Sequence, residues 1–238
     1  MTQPEPRHPT SDDEDLLEAE TLAILSEYTD AQRVLRIQDE LREGFRQLNH
    51  VGKAVSIFGS ARTPPEHPRY EQARALARHL GEQGYAIITG GGPGIMEAAN
   101  RGARDAGVPS VGLGIELPHE QGMNEYVDLP LNFHYFFTRK VMFVRYASGF
   151  VVFPGGFGTM DEMFEAATLR QTQKIRYFPI VLVGSEYWSG LVEFLRNQML
   201  GDGYIAPEDI DSLGVCDDLD RVIEIVEDVE HRRPRRAA

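Results

Sequence analysis

The feature that most limits how this chain can fold is an alternation. From Gly52 onward, short apolar runs, KAVSIFG, GYAIITG, PSVGLGI, GFVVFPG and FPIVLVG, are separated by stretches with helical spacing: YEQARALARHLGEQG, IMEAANRGARDAG, YFFTRKVMFVRYASG and TMDEMFEAATLRQTQ. A strand that is apolar at successive positions has to be covered on both faces, and strands that alternate with helices become parallel neighbours. The expected fold class is therefore α/β: an open, doubly wound, mainly parallel sheet flanked by helices. Four of the five runs end at a glycine, so the turns at the carboxyl ends of the strands are where the chain gives up side chains.

Upstream, Leu16, Leu17, Leu22, Ile24 and Leu25, then Val34, Leu35, Ile37, Leu41, Phe45 and Leu48, recur at helical spacing. The reading is a helical N-terminal extension over 13–50, whose apolar stripe suits either the following domain or a subunit interface. Residues 51–231 form the nucleotide-binding domain expected from the alternation. A proline-containing stretch, 1–12, and an arginine-rich end, 232–238, are expected as loose tails without chemistry.

Composition removes several function classes. A formal charge of −13 argues against a general nucleic-acid binder, although a local anion pocket stays open. Cys216 is the only cysteine, so the chain can build neither an internal disulfide nor a cysteine-based zinc site, which suits a reducing compartment. No run reaches the length of a membrane span, and the first residues do not resemble a secretory signal. A cytoplasmic protein without membrane partners is expected.

In an open parallel sheet, ligands bind outside the carboxyl ends of the strands, where backbone N–H groups at helix starts face anions. Three loops belong to that edge: Phe58-Gly59-Ser60-Ala61, Thr89-Gly90-Gly91-Gly92-Pro93-Gly94, and Pro154-Gly155-Gly156-Phe157-Gly158-Thr159. Neither G-x-G-x-x-G nor G-x-x-x-x-G-K-[ST] is present, so a mononucleotide or sugar phosphate fits better than a dinucleotide or a triphosphate. Thr159 and Glu162 carry two readings. T-x-x-E at a helix start is the spacing of a capping box, yet Asp161, Glu162 and Glu165 crowd acid behind a loop suited to an anion.

PGGFGTMDE, residues 154–162, resembles the PGGxGTxxE signature of the Lonely Guy (LOG) family. The likeness extends to GGGPGIM at 90–96 and to Arg139-Lys140 upstream, and covers roughly 53–200. The resemblance implies a Rossmann-like nucleoside 5'-monophosphate phosphoribohydrolase, releasing free base and ribose 5-phosphate from AMP or cytokinin riboside monophosphates. It implies Arg139 and Glu162 as the catalytic pair. Substrate binding would fall to Ser60, Gly90, Gly91, Gly92, Gly94, Met96, Gly155, Gly156, Gly158 and Thr159. The chemistry agrees: a carboxylate stabilises oxocarbenium character and orients water, while a guanidinium holds the departing base or a substrate oxygen. Such an enzyme needs no metal and no cofactor. A homo-oligomer is implied too, dimer or hexamer, with the Arg139 helix at the interface. The alternative is a non-catalytic nucleotide or cofactor carrier using the same phosphate nest.

His119 and His134 lack metal-ligand spacing and read as loop or pocket-wall residues. Met142, Phe143 and Val144 read as core or interface. The run Phe133, Tyr135, Phe136, Phe137 either walls the base or only packs the helix. An older decarboxylase label for the family requires a Schiff-base lysine; Lys140 is the only lysine near the proposed pocket, beside Arg139 on one helix.

Overall fold

The computed structural model describes residues 8–18, 28–116 and 122–232. Two helices, α1 (Asp12–Glu18) and α2 (Asp30–Leu48), precede β1 (Ala54–Phe58). The chain continues through α3 (Pro68–Glu82), β2 (Ala86–Thr89), α4 (Ile95–Ala106), β3 (Ser110–Ile115) and β4 (Leu129–Phe133). Then come α5 (Phe136–Tyr146), β5 (Phe150–Val152), α6 (Phe157–Gln171), β6 (Ile180–Leu182) and α7 (Ser185–Phe194), which passes into a π-helical turn, Leu195–Leu200. Helix α8 (Pro207–Asp211), β7 (Leu213–Val215) and α9 (Leu219–Arg232) complete the order.

The strands form one seven-stranded sheet in the order β4-β3-β2-β1-β5-β6-β7, and every neighbouring pair is parallel. The expected α/β architecture is thus the observed one. The five runs read from the sequence are β1, β2, β3, β5 and β6. The two strands it lacked are the edges: β4 contains Pro130, which removes a ladder donor, and β7 has only three residues.

Successive strand residues point to opposite faces, and both faces are buried. Ala54, Phe58, Ile88, Leu113 and Val152 pack with Leu48 of α2, Met142 and Phe143 of α5, and Met163 of α6. Val55, Ile57, Ile87 and Val151 pack with Leu76 and Leu80 of α3, Ala99 of α4, and Val222 and Val226 of α9. Met142 and Phe143 are core, as expected from the sequence. Of the aromatic run, Phe133 and Tyr135 are buried, whereas Phe136 and Phe137 are exposed. In the extension, Leu48 is buried while Val34 and Leu35 stay exposed, so its stripe is only partly used within this chain. Residues 1–7, 19–27 (with Leu22, Ile24 and Leu25) and 233–238 lie outside the described residues.

Strand order reverses at β1: β2, β3 and β4 extend to one side, and β5, β6 and β7 to the other. The crevice of such a sheet opens where the order reverses, between the loops after β1 and β5. There the backbones lock together. The Ser60 N–H donates to the Pro154 carbonyl at 3.0 Å, and the Ile95 N–H donates to the Ser60 carbonyl at 3.1 Å. The second bond demands a glycine next to Ile95. Gly94 has φ +69, and a Cβ there would lie 2.4 Å from the Ser60 carbonyl oxygen and 2.8 Å from the Ala61 carbonyl carbon. Because those are main-chain atoms, they cannot swing aside. Gly94→Ala is expected to lower stability by at least about 1 kcal/mol, seen as a lower urea midpoint with unchanged slope.

Candidate active site

Helix α6 begins at Phe157 with Gly156 as its N-cap, and no side chain caps it. The capping-box reading of Thr159 and Glu162 is therefore overturned. The helix opens two residues before Thr159, which places Glu162 well inside it. Thr159 is instead buried under the loop: a Cβ at Gly155 would lie 2.1 Å from Thr159 Oγ1, so only glycine lets the main chain cross there. Gly156 and Gly158 have no neighbouring atom within 4 Å of a Cβ position, and both are exposed. The first N–H groups of a helix lack intrahelical acceptors and sit at the positive end of the helix dipole. An anion can approach them at Gly156 and Gly158 without meeting a side chain. The Tyr187 hydroxyl fixes the loop from behind, donating to the Gly155 carbonyl at 2.7 Å.

The loop after β2 is held by a buried polar network. The Thr89 hydroxyl donates to Asn100 Oδ1 at 2.6 Å and accepts the Gly91 N–H at 2.9 Å. Asn100 Nδ2 donates to Ser110 Oγ at 2.9 Å. Asn124 Nδ2 reaches the carbonyls of Gly91 and Gly92 and Asn100 Oδ1, each at 3.0 Å. Met96 folds back over this loop, its sulfur 2.9 Å from where a Gly90 Cβ would be and its methyl 2.7 Å from the Gly92 position. Met96 thus supports the glycine string from the helix side.

Arg139, on α5, and Glu162, on α6, meet: Arg139 Nη2 lies 3.7 Å from Glu162 Oε1. Glu162 is 3% exposed, and neither carboxyl oxygen accepts a hydrogen bond from a described residue. The Arg139 guanidinium stacks 5.0 Å from the Phe136 ring centroid and 5.6 Å from that of Phe143. Lys140 reaches the same helix on another side, 2.8 Å from Asp161 and 3.3 Å from Glu165. The acids beside Glu162 therefore have a cation of their own. Burial drives the Glu162 carboxyl up from 4.5 to about 7, opposed by Arg139 and Lys140 and reinforced by Glu165 and Asp161.

That shift has a sign for stability. A raised carboxyl pKa means the folded state holds the proton more tightly, so its stabilisation is full below about 4.5 and is lost as pH rises through about 7. Glu162→Gln, which mimics the protonated acid, is expected to match the parent near pH 4. It should exceed it at pH 8 by up to about 3 kcal/mol, measured by denaturant unfolding at both values.

Main-chain contacts join the loops that carry Ser60, Gly90, Gly91, Gly92 and Gly94, and Gly155, Gly156 and Gly158; Thr159 lies under the last of them, and Glu162, on the same helix α6, faces Arg139. His119 lies outside the described residues. His134 sits on the sheet edge with its Nδ1–H donating to Glu40 Oε1 at 2.6 Å. Its ring, Asp12 and Glu116 bring potential metal-donor atoms within 4.8 Å of one another, but Asp12 is paired with Arg36 and His134 with Glu40. The sequence reading placed Thr89 in the loop without its hydrogen-bonding role, and missed Asn100, Ser110, Asn124 and Tyr187. A signal existed for Asn100 alone, a polar residue inside the apolar face of IMEAANRGA.

Residues 96–226, more than half of the chain, match the family model described as "Possible lysine decarboxylase". The chain belongs to that family, the LOG family. Among LOG-like relatives, a pyrimidine/purine nucleotide 5'-monophosphate nucleosidase of Escherichia coli (strain K12) is 30% identical over 168 residues, 61% of this chain and 36% of that protein. The chain thus spans about a third of that relative's length. A cytokinin riboside 5'-monophosphate phosphoribohydrolase of Rhodococcoides fascians is 25% identical over 188 residues, 76% of this chain and 92% of that protein. In fold, the chain resembles the molybdenum cofactor binding protein of Rippkaea orientalis, with TM-score 0.54 and 19% identity over 75% of this chain and 96% of that one. Lys140, the lysine beside Arg139, is held as a cation by carboxylates of α6. Burial works against the Lys140 charge but is outweighed by the hydrogen bond to Asp161 and the charges of Glu162, Glu165 and Asp161, so its pKa is raised. A Schiff base needs the neutral amine.

Proposed function

We propose that this protein is a nucleoside 5'-monophosphate phosphoribohydrolase, hydrolysing the N-glycosidic bond of AMP or of N6-modified (cytokinin) riboside 5'-monophosphates. The observation that carries the reading is Glu162, a buried carboxyl that no described residue hydrogen-bonds, 3.7 Å from a guanidinium and on the helix whose uncapped first turn can receive an anion. The phosphate rests on the amides of Gly155, Gly156 and Gly158 with the Thr159 hydroxyl, Ser60 and the Gly90–Gly94 loop closing the crevice. The nucleotide's sugar then lies toward Glu162. Ionised Glu162 stabilises positive charge growing at C1' and takes a proton from the attacking water as its oxygen bonds to C1'. The C1'–N bond breaks with its electron pair going to the base, whose charge Arg139 offsets until a proton, passed on by Glu162, neutralises it. A carboxyl with a pKa near 7 can both accept and return that proton. The 5'-monophosphate named for both relatives agrees with the nest.

A carrier of nucleotides or cofactors would use the same amides, but it leaves the cost of burying Glu162 without a purpose. Purified protein incubated with AMP, other monophosphates and isopentenyladenosine monophosphate is expected to release free base, followed by chromatography. The acid limb of kcat/KM should fall near pH 7. Glu162→Ala should lower kcat by a factor on the order of 10² to 10⁴ with the fold retained. Tight binding without base release would establish the carrier instead.

The chain is further proposed to be a homo-oligomer built on α5 and α6, where Phe137, Val141 and Phe164 are exposed. Val141→Asp is expected to shift the mass measured by light scattering to that of a monomer; an unchanged mass would place the interface elsewhere. Among the described residues, no helix is long and apolar enough to cross a membrane.

A further inference from the structure

Helix α5, which presents Arg139, starts badly on its own terms. Its N-cap, Tyr135, offers no side-chain bond, and its first turn contains no acid. The first intrahelical bond, from the Arg139 N–H to the Tyr135 carbonyl, is long at 3.4 Å. A helix start needs acceptors for its free N–H groups and benefits from negative charge, and the local sequence HYFFTRK supplies neither.

The missing groups come from the N-terminal extension. Glu40, in the middle of α2, has a side chain only 10% exposed. Its Oε1 accepts the His134 main-chain N–H at 2.8 Å and the His134 Nδ1–H at 2.6 Å, and its Oε2 lies 2.6 Å from the buried Thr138 hydroxyl, whose single proton it shares with the Tyr135 carbonyl at 2.7 Å. Asp13 of α1 accepts the Phe136 N–H at 3.1 Å. Helix α1 is itself tied to α2 by Asp15–Arg33 at 2.9 Å and by Asp12–Arg36. Two carboxylates drawn from the extension thus meet the start of α5, Asp13 at the Phe136 N–H and Glu40 at His134 and at the hydroxyl of Thr138, the residue before Arg139.

We propose that Glu40 is a positioning residue for Arg139: while Asp13 takes the Phe136 N–H, Glu40 ties His134 to the Thr138 side chain, fixes the start of α5 from a distant part of the chain and thereby sets the guanidinium on Glu162. The inference rests on the phosphoribohydrolase reading for its effect on turnover, but its geometry is independent of that reading. Arg139 lies one residue beyond Thr138, so loss of the Glu40 bonds lets the first turn drift and moves the guanidinium off the acid. The nest at α6 does not touch Glu40, so phosphate binding stays intact.

The test uses the full chain and two readouts. Glu40→Ala is expected to lower kcat by a factor on the order of 10 to 10² while KM changes by less than about twofold. Glu40→Gln, which keeps an acceptor for the His134 N–H, should recover most of it. The second readout is an NMR titration of carboxyl-labelled glutamate, with the Glu162 signal assigned by its absence in Glu162→Gln. The charges facing that carboxyl are Arg139 and Lys140 from α5 and Asp161 and Glu165 from its own helix. Loss of Arg139 from the pair moves the midpoint upward in Glu40→Ala, an effect that mere loss of folded protein does not produce. A folded Glu40→Ala with parental kcat and parental Glu162 titration overturns the proposal. If Glu40→Ala does not fold, Thr138→Val, which removes the one hydroxyl bonded to Glu40 at nearly constant volume, is read the same way and decides. If the parent releases no base from any monophosphate, the enzymatic reading fails, and the titration alone decides whether Glu40 positions Arg139.

Discussion

Ser60 touches both halves of this molecule through its main chain alone. Its N–H is committed to Pro154 and its carbonyl to Ile95, so the loops after β1, β2 and β5 form one hydrogen-bonded unit at the point where strand order reverses. Each neighbouring feature follows from that contact. Gly94 has to lack a side chain because the Ser60 carbonyl lies where its Cβ would be. The Thr89, Asn100 and Asn124 network keeps the β2 loop in reach of Ser60. Pro154 then starts the chain toward Gly156 in a direction that aims the first turn of α6 at the crevice. Buried hydrogen bonds between main-chain groups are individually modest in net worth but costly to leave unmade, so the three loops hold their relative positions as a set.

Behind the nest, the electrostatics are arranged by pairing across α5 and α6. A carboxyl as buried as Glu162 would ordinarily shed its charge. Arg139 and Lys140 oppose that tendency without cancelling it, which leaves the group poised near neutrality rather than fixed in either state. The distance matters here. At 3.7 Å, without a hydrogen bond, the guanidinium lowers the cost of the charge yet leaves both oxygens free to accept. A tight bidentate pair would bring the pKa down and occupy the lone pairs that a base needs.

Much of this was legible in the sequence where the backbone itself makes the demand. Parallel strands buried on both faces have to be continuously apolar, and β1, β2, β3, β5 and β6 announced themselves that way; β4, with Pro130 and an exposed face, and the three-residue β7 did not. Glycines required by close main-chain approach, such as Gly94 and Gly155, stand out because no other residue fits. Side-chain partnerships are another matter. Arg139 and Glu162 were linked only through the family signature, since nothing in TRKVMFVRYA distinguishes an arginine turned inward from one in solvent. The helix start at Phe157 rather than Thr159 was hidden because T-x-x-E satisfies a local rule that the loop geometry overrides. Glu40 was invisible, because its partners lie 94 and 98 residues downstream and only the packing of α2 on α5 brings them together.

A chain with formal charge −13 that receives an anion has to keep its acids from facing the ligand, and the acids near α5 and α6 each have another partner or lose their charge. Asp161 and Glu165 are turned to Lys140. Glu40 and Asp13 are turned to the start of α5, where the helix dipole favours them. Glu162 faces Arg139 without a hydrogen bond from a described residue, and it loses its charge readily when its surroundings become more negative. A phosphate settling at α6 would push its pKa up further, so the acid and the anion are not both obliged to be charged at once. The same coupling ties the helical extension to the site: its carboxylates occupy the start of α5, the first turn of α6 stays without a side-chain cap, and Arg139 is kept within reach of Glu162.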